Sequence, residues 1–596
     1  MNNFSDQIVA RLAEAGIRQV FGVPGGGNMF LLKAFNDNPY ISIQFCHHEQ
    51  AAAISCEAYC KASGEPAICL VTSGPGGTNA LTGVVGAFLD STPLVLIAGQ
   101  VKTSDLKSEG LRQKGPQEVD LLSIIEPVTI ASKQLESNSL PDVDILFEHL
   151  NDRRGGPIAL LVPLDIQNSP LWEGDVSLLS SGKEIGGPSP EDSVQIAQMT
   201  RAFSDSKRPA VLMGNGCRNI SPYQLNVWFQ LLRENGVGVL FSWLSYDLLP
   251  YEDDMNMGRP GGVSLRHSNL ILQSADFLLV LGSRLDSTQT AFNAEGFARN
   301  ASVWVVDVDK HELQKHPMSF KKIQSDVTFV LDEMTSSDLL AGTPQLREGW
   351  TAFCSDLKNR FATERIPAPK RERLAVEAIV DVLSEMLESN AMIVTGSSGL
   401  AVEIFHVRFR NRDGQRIFLT TALGSMGYGL PAVIGAACHI DPQLPLYLFE
   451  SDGSFMMNLQ ELSTLRAIDR PVVIFLVNNG GYASIRASQK KHFGINVGTD
   501  PDTGLMFPDF SQIAAAHDIA HLTVSTESEL VDAVNAVKAK HNKFIVEIMA
   551  DHNSVLEPKC SVAIAGDKFG TSQLEHLDPP LPAGEVDRIL AAAMVL

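Results

Sequence analysis

Two short strings in the second half of the chain carry residue types suited to holding a cation and phosphate oxygens. Glu450-Ser451-Asp452-Gly453-Ser454-Phe455 follows the strand-like run Leu446 to Phe449, and Asn478-Asn479-Gly480-Gly481-Tyr482 follows Pro471 to Val477. Each string would sit at the carboxyl end of a strand, with Asp452 and Asn479 27 residues apart. A carboxylate, an amide oxygen and a backbone carbonyl just beyond are hard donors. They leave room on an octahedral Mg²⁺ for diphosphate oxygens and water. Gly453 would let the backbone approach a phosphate, while Ser454 and the start of the following helix would offer donors and a favourable dipole. Either string alone is also an ordinary strand-to-helix turn, so it is their pairing that points to chemistry.

The elements needed to position these strings occur twice. Ala67 to Thr72 meets Gly74-Pro75-Gly76-Gly77, then a small-residue helix, Asn79 to Leu89, then the apolar run Pro93 to Ala98. Ile417 to Thr421 meets Gly424 to Gly429, then a helix near Pro431 to Cys438, then Leu446 to Phe449. Short apolar strands alternating with helices indicate parallel sheets whose ligand loops lie at the carboxyl ends of the strands. A third unit of the same class lies between them, where Pro209 to Met213 runs into Gly214-Asn215-Gly216, Phe277 to Leu281 into Gly282-Ser283-Arg284, and Val303 to Val306 ends at Asp307. The Gly- and Pro-containing stretches 168–192 and 341–372 read as linkers. The expected fold class is α/β, with three doubly wound parallel-sheet domains.

Composition excludes several other functions. The 596 residues carry a net charge of −22, a field that repels nucleic acid and anionic membrane surfaces. Two windows, 67–89 and 417–438, contain no charged residue, but Gly/Pro clusters interrupt both and argue against membrane spans. The N-terminal segment, with charges at helical spacing around Ile8, Val9 and Leu12, reads as a soluble amphipathic helix and not a signal peptide. The eight cysteines are scattered; Cys56 and Cys60 share a helix face without the partners of a zinc site and read as buried thiols in a reducing compartment. No membrane, no nucleic acid and a cytoplasmic location are the expectations.

The two strings together resemble the G-D-G…N-N diphosphate signature of thiamine-diphosphate enzymes, with Ser451 in place of the first Gly. The likeness extends along the chain. Phe21-Gly-Val-Pro-Gly25-Gly26, His48-Glu49-Gln50, Thr72-Ser-Gly-Pro-Gly-Gly-Thr-Asn79, Gln117-Glu118, Gly156-Pro157…Val162-Pro163…Asp165 and Gly424-Ser-Met426-Gly-Tyr-Gly-Leu-Pro431 appear in the order of the acetolactate-synthase-like family. The resemblance implies a pyrimidine-binding domain over 1–175, a middle domain over 190–345, a diphosphate-binding domain over 370–555 and a C-terminal tail over 556–596. It implies Glu49 as the acid that shares a proton with the cofactor pyrimidine, in apolar surroundings that would raise its pKa. Met426 would support the bent cofactor and the Gly424 carbonyl would accept from its amino group. Asp452, Asn479 and the Gly481 carbonyl would bind Mg²⁺. Gly453, Ser454, Thr72 and Asn79 complete the cofactor set, with Gly25, Gly26 and Gln117 at the substrate. His47 and His48 have no family counterpart.

Because the acid and the metal loop lie on different domains, the resemblance further implies a homodimer or homotetramer with Glu49 serving a neighbouring chain. In the middle domain, Arg284-Leu-Asp286-Ser287 and Asp307-Val-Asp309 resemble parts of a non-redox FAD site, with Ser287 replacing the second Asp of the family run. Two further departures bear on substrate. Pro116 stands where acetolactate synthases carry Phe, and Ser488 where they carry Trp. Both remove aromatic bulk, which suggests a wider acceptor pocket with Arg486 as an anion contact. The implied reaction is decarboxylation of pyruvate and transfer of the two-carbon unit to a carbonyl acceptor. The carboligases that extend a nucleotide-linked ketosugar, as in yersiniose formation, are the most similar subgroup. Acetolactate synthase and 2-ketoacid decarboxylase are the alternatives.

Overall fold

Each short apolar run that ends in glycine or a polar turn forms a parallel strand. The computed structural model describes residues 3–152, 154–174, 188–337, 347–362, 373–439, 441, 443–565 and 568–596. The first sheet contains β1 (Gln19–Gly22), β2 (Ser42–Phe45), β3 (Ala67–Val71), β4 (Leu94–Gln100), β5 (Ala131–Gln134) and β6 (Ile158–Pro163), in the order β2-β1-β3-β4-β6-β5. The second contains β7 (Pro209–Met213), β8 (Gly238–Phe241), β9 (Phe277–Leu281), β10 (Ser302–Asp307) and β11 (Lys321–Gln324), ordered β11-β10-β9-β7-β8. The third contains β12 (Met392–Thr395), β13 (Arg416–Phe418), β14 (Leu446–Ser451), β15 (Val472–Asn478), β16 (Ala520–Val524) and β17 (Lys543–Met549), ordered β13-β12-β14-β15-β17-β16.

The first and third sheets share one topology, so the repeated pattern in the sequence is a repeated fold. All three are parallel α/β sheets. Inner strands such as β3 and β9 are buried along their whole length and read as continuous apolar runs because helices cover the two sides.

The described residues group into two compact units. One comprises Met1–Glu184, Ala391–Val402 and Arg416–His552; the other comprises Ile185–Asn390, Glu403–Gln415 and Asn553–Leu596. In the first unit the helices Glu49–Ser63 and Gly429–Ala437 pack against each other through small residues. The Ser55 hydroxyl donates to the Pro431 carbonyl at 2.7 Å. A Cβ on Gly435 would lie 2.1 Å from the Ser55 carbonyl oxygen, so only glycine permits this crossing. The N-terminal segment is a helix, Phe4–Glu14, with Phe4, Ile8, Val9 and Leu12 buried and Arg11 paired to Asp144 at 2.8 Å.

The second unit absorbs sequence that read as connection. Within the stretch 341–372, Glu348–Phe361 is a helix whose Trp350, Cys354, Leu357 and Phe361 join the middle-domain core. The remainder of that stretch, 341–346 and 363–372, lies outside the described residues, as do 175–187 of the earlier linker. The tail is equally integrated, since Leu574, Leu577 and the helix Glu585–Met594 contribute to the same core. All eight cysteines are free thiols and seven are buried. Among the described residues no helix is long and apolar enough to cross a membrane.

Candidate active site

The strand register brings the two chemical strings together. Ser451 pairs with Val477 across β14 and β15, so Asp452 and Asn479 emerge side by side at the carboxyl edge of the third sheet. Asp452 is 1% exposed. Its Oδ2 accepts from the Gly481 N–H at 2.9 Å and its Oδ1 from the Gly453 N–H at 2.7 Å. The amide of Asn479 ends 3.3 Å from Asp452 Oδ1 and 2.8 Å from the Gly481 carbonyl, with its NH₂ placed to donate to both. A carboxylate, an amide and a backbone carbonyl therefore converge. A divalent cation bound among them would turn the amide so that its oxygen faces the ion. Burial pushes the Asp452 carboxyl up to about 7 despite the lowering effect of its N–H donors, and a cation would favour its charged form. Among the described residues no group of three His, Cys, Asp or Glu side chains is arranged for a metal. The triad fits Mg²⁺ through one carboxylate, one amide and one backbone carbonyl.

The two neighbouring residues also have roles within the fold. Gly453 makes room for an aromatic ring, since a Cβ there would lie 2.6 Å from the Tyr482 ring. Ser454 is buried, and its hydroxyl accepts from the Gly427 N–H at 2.9 Å. It therefore secures the turn that carries Gly424 and Met426. Asn458 holds the same turn through Nδ2 to the Gly427 carbonyl at 2.7 Å. Glu450 adds a third hold, accepting from the Gly429 N–H at 3.2 Å, and burial pushes its carboxyl up to about 7. Gly424 and Gly427 have φ of 63° and 80°, a conformation favouring glycine. Met426 is half-buried on the resulting turn.

A second set of contacts fixes the start of this turn. Asp90 accepts from the Thr420 hydroxyl at 3.0 Å, the Thr421 N–H at 3.1 Å and the Ala422 N–H at 3.2 Å. Lys61 donates to Asp90 and to the Leu419 carbonyl, both at 2.8 Å, and also pairs with Glu57. Tyr428 donates to Glu57 at 2.8 Å. Burial opposes the charge on Lys61, but the neighbouring carboxylates outweigh it and hold its pKa above the ordinary value. These residues were not among the sequence candidates. The available signal was the position of Asp90 immediately after the uncharged window 67–89.

The remaining candidates of this unit gather at the carboxyl ends of β1, β2 and β3. Glu49 begins the helix Glu49–Ser63, and its carboxylate accepts from Asn79 Nδ2 at 3.0 Å. His48 has a structural role as the helix N-cap, with Nδ1 accepting from the Gln50 N–H at 3.1 Å. Thr72 Oγ1 accepts from the Gly27 N–H at 3.0 Å, and a Cβ on Gly25 would lie 2.5 Å from Thr72, whereas Gly26 faces open space. Gln117 has φ of 62°, and its backbone packs where a Cβ on Gly74 would lie 2.7 Å from its carbonyl oxygen. A non-glycine residue in this region is a place where strain is stored. Pro116, Gln117 and Ser488 are exposed. Arg486 corrects the sequence reading, because its guanidinium donates to the backbone carbonyls of Asn479 and His552 and is not directed toward an acceptor anion.

In the middle domain, Gly214–Gly216 and Arg284 follow β7 and β9, and Asp307 ends β10. The neighbours β7 and β9 form the topological switch point, where such sheets place ligands. Gly214 and Gly216 pack closely on Gly282, and Gln289 nearby presents a buried Nε2 without a partner among the described residues. That orphaned donor is compatible with a ligand lying across these loops.

The chain matches, over residues 2–124, 196–334 and 395–548, the family descriptions "Thiamine pyrophosphate enzyme, N-terminal TPP binding domain", "central domain" and "C-terminal TPP binding domain". It is 28% identical over 569 residues to acetolactate synthase 1, chloroplastic, of Zea mays, covering 93% of this chain and 86% of that protein. Against acetolactate synthase, chloroplastic, of Arabidopsis thaliana it is 28% identical over 568 residues, covering 93% and 82%. The three sheets and the paired diphosphate loops define a thiamine-diphosphate enzyme. The chain belongs to the thiamine pyrophosphate enzymes and is similar in sequence to acetolactate synthases.

Replacing Lys61 by Met leaves Glu57 and Asp90 buried without their cation. Breaking such a group costs about 3–5 kcal/mol, so chemical denaturation of Lys61→Met is expected to show a stability loss of that order.

Proposed function

We propose that this enzyme decarboxylates pyruvate and adds the two-carbon acetyl unit to a ketone or aldehyde, with a nucleotide-linked ketosugar as the preferred acceptor class. The observation that carries the reading is the convergence of the Asp452 carboxylate, the Asn479 amide and the Gly481 carbonyl at a strand edge, a set able to present three oxygens to a Mg²⁺-bound diphosphate. Bound thiamine diphosphate supplies the nucleophilic carbon and accepts the charge left by decarboxylation. Asp452, Asn479 and Gly481 would hold the cation, and Met426 and Gly424 would support the cofactor. The domain boundaries at 175, 190, 345, 370 and 555 are part of this proposal.

Glu49 holds or moves a proton at the cofactor's pyrimidine nitrogen, with Asn79 fixing its carboxylate. Thr72 fixes the glycine turn Gly25–Gly27, leaving Gly26 and Gln117 beside the substrate. In the overall step pyruvate loses CO₂, one carbon–carbon bond forms to the acceptor carbonyl carbon, and the carbonyl oxygen takes a proton to give an α-hydroxyketone. Pro116 and Ser488, which lack the aromatic bulk of the family pattern, support an acceptor larger than a simple 2-ketoacid.

The assembly proposed is a homodimer or a homotetramer, with Glu49 of one chain serving the cation loop of another. Glu49→Gln is expected to bind thiamine diphosphate and lose about 10²–10⁴-fold in turnover. Mixing Glu49→Gln with Asp452→Ala chains is expected to restore activity that neither has alone; failure of restoration after verified subunit exchange would refute shared sites.

Two assays separate the chemical alternatives. Purified enzyme with pyruvate and a ketosugar nucleotide should release CO₂ and yield the branched α-hydroxyketone sugar. Acetaldehyde or acetolactate as the main product in its presence would favour the decarboxylase or acetolactate synthase reading. For the middle domain, where Arg284 and Asp307 would hold FAD in a non-redox role, the purified protein should show a visible flavin absorption band; a colourless, flavin-free enzyme of full activity contradicts that assignment.

A further inference from the structure

The turn that carries Asn479 and Gly481 is held at its far end, where the Gly481 N–H donates to Asp452 at 2.9 Å and the Gly481 carbonyl accepts from the Ala483 N–H at 3.0 Å. Gly480 and Gly481 have φ of 73° and 118°, within the region that glycine enters most freely. One side chain engages the two carbonyls that precede Gly481. Arg486 Nη2 donates to the Asn479 carbonyl and to the His552 carbonyl, both at 2.9 Å, and Nη1 donates to the Gly480 carbonyl at 3.2 Å. The arginine side chain is 11% exposed, and Asp500 stands 3.8 Å from Nη1 on its other side. Asp500 is itself held by the Thr503 N–H at 3.1 Å and the Thr503 hydroxyl at 2.8 Å. With the carbonyls of residues 479 and 480 directed to the guanidinium, the Gly481 carbonyl is left beside the Asn479 amide.

We propose that Arg486 is a positioning residue for the cation: it selects the Gly481 carbonyl as the third oxygen donor and fixes the Asn479 side chain opposite Asp452. The inference rests on the thiamine-diphosphate reading above. The role depends on a planar fork that reaches three carbonyls in fixed directions, which the single ammonium of lysine cannot reproduce. It also explains how a cationic side chain can sit beside a metal loop, because its donors meet carbonyl dipoles and a carboxylate at its outer side.

The test follows uptake of thiamine diphosphate by the full-length apoprotein as Mg²⁺ is titrated at fixed cofactor concentration, read by isothermal titration calorimetry and near-ultraviolet circular dichroism. Loss of a group that orients metal ligands typically weakens metal affinity roughly 10–100-fold. The half-saturating Mg²⁺ concentration is therefore expected to rise by about that factor in Arg486→Met. A smaller rise is expected in Arg486→Lys, and saturating Mg²⁺ should restore cofactor uptake and the KM for pyruvate. Asp500→Asn, which loosens the same guanidinium from its other side, covers the case in which Arg486→Met does not fold and should also raise the Mg²⁺ requirement. Unchanged half-saturation in the folded variants overturns the inference, as does an increase confined to the acceptor KM. A wild-type protein that takes up no thiamine diphosphate at any Mg²⁺ concentration overturns the functional reading itself.

Discussion

A carboxylate buried at the edge of a sheet is costly unless something positive lies beside it. Asp452 stands next to the Asn479 amide, 3.3 Å away, which in turn lies 2.8 Å from the Gly481 carbonyl. The surrounding structure increases the need for a cation. Asp452 is withdrawn from water, which makes an isolated carboxylate costly, and its N–H donors offset only part of that cost. A divalent cation resolves both the convergence and the burial, and it gives a diphosphate a place to bind.

The remainder of the first unit keeps a second loop in register with this one. The turn containing Gly424 and Met426 is held from one side by Asp90 and Lys61 and from the other by Ser454, Asn458 and Glu450. The first group extends from the repeated sheet at the amino terminus and the second from the strand edge that carries Asp452. Fold duplication thus has a mechanical consequence. One copy supplies the cation loop, and the helices of both copies, crossing at Ser55 and Gly435, give the intervening turn a fixed base.

Much of this was legible in the sequence because the relevant signals are local. Apolar runs ending in Gly/Pro or polar turns located strands such as β3, β7, β9 and β15, and the recurrence of the pattern anticipated the matching strand orders of two sheets. The Gly74-Pro75-Gly76-Gly77 string was read as a loop, yet the helix begins at Pro75, since proline's fixed φ suits a first helical turn and its missing N–H has no partner to lose there. The stretch 341–372 was harder because proline and glycine at its ends concealed a helix whose apolar stripe packs on a distant core. Side-chain direction was the least legible feature. Ser454 and Arg486 have chemistries suited to phosphate or an anion, and only the fold shows that their hydrogen-bonding groups are engaged by nearby backbone. The partners Lys61, Glu57 and Asp90 were hidden because the i,i+4 spacing of Glu57 and Lys61 is equally that of a solvated helix face, and only the fold shows it buried against Asp90.

The most direct measurement is an anomalous-scattering map from crystals grown with Mn²⁺ and thiamine diphosphate. The account requires one peak per chain at coordination distance, about 2.0–2.2 Å for a small hard divalent ion, from Asp452, the Asn479 side-chain oxygen and the Gly481 carbonyl. A fully occupied cofactor with its metal elsewhere, or with the Asn479 amide nitrogen turned toward Asp452, would contradict it.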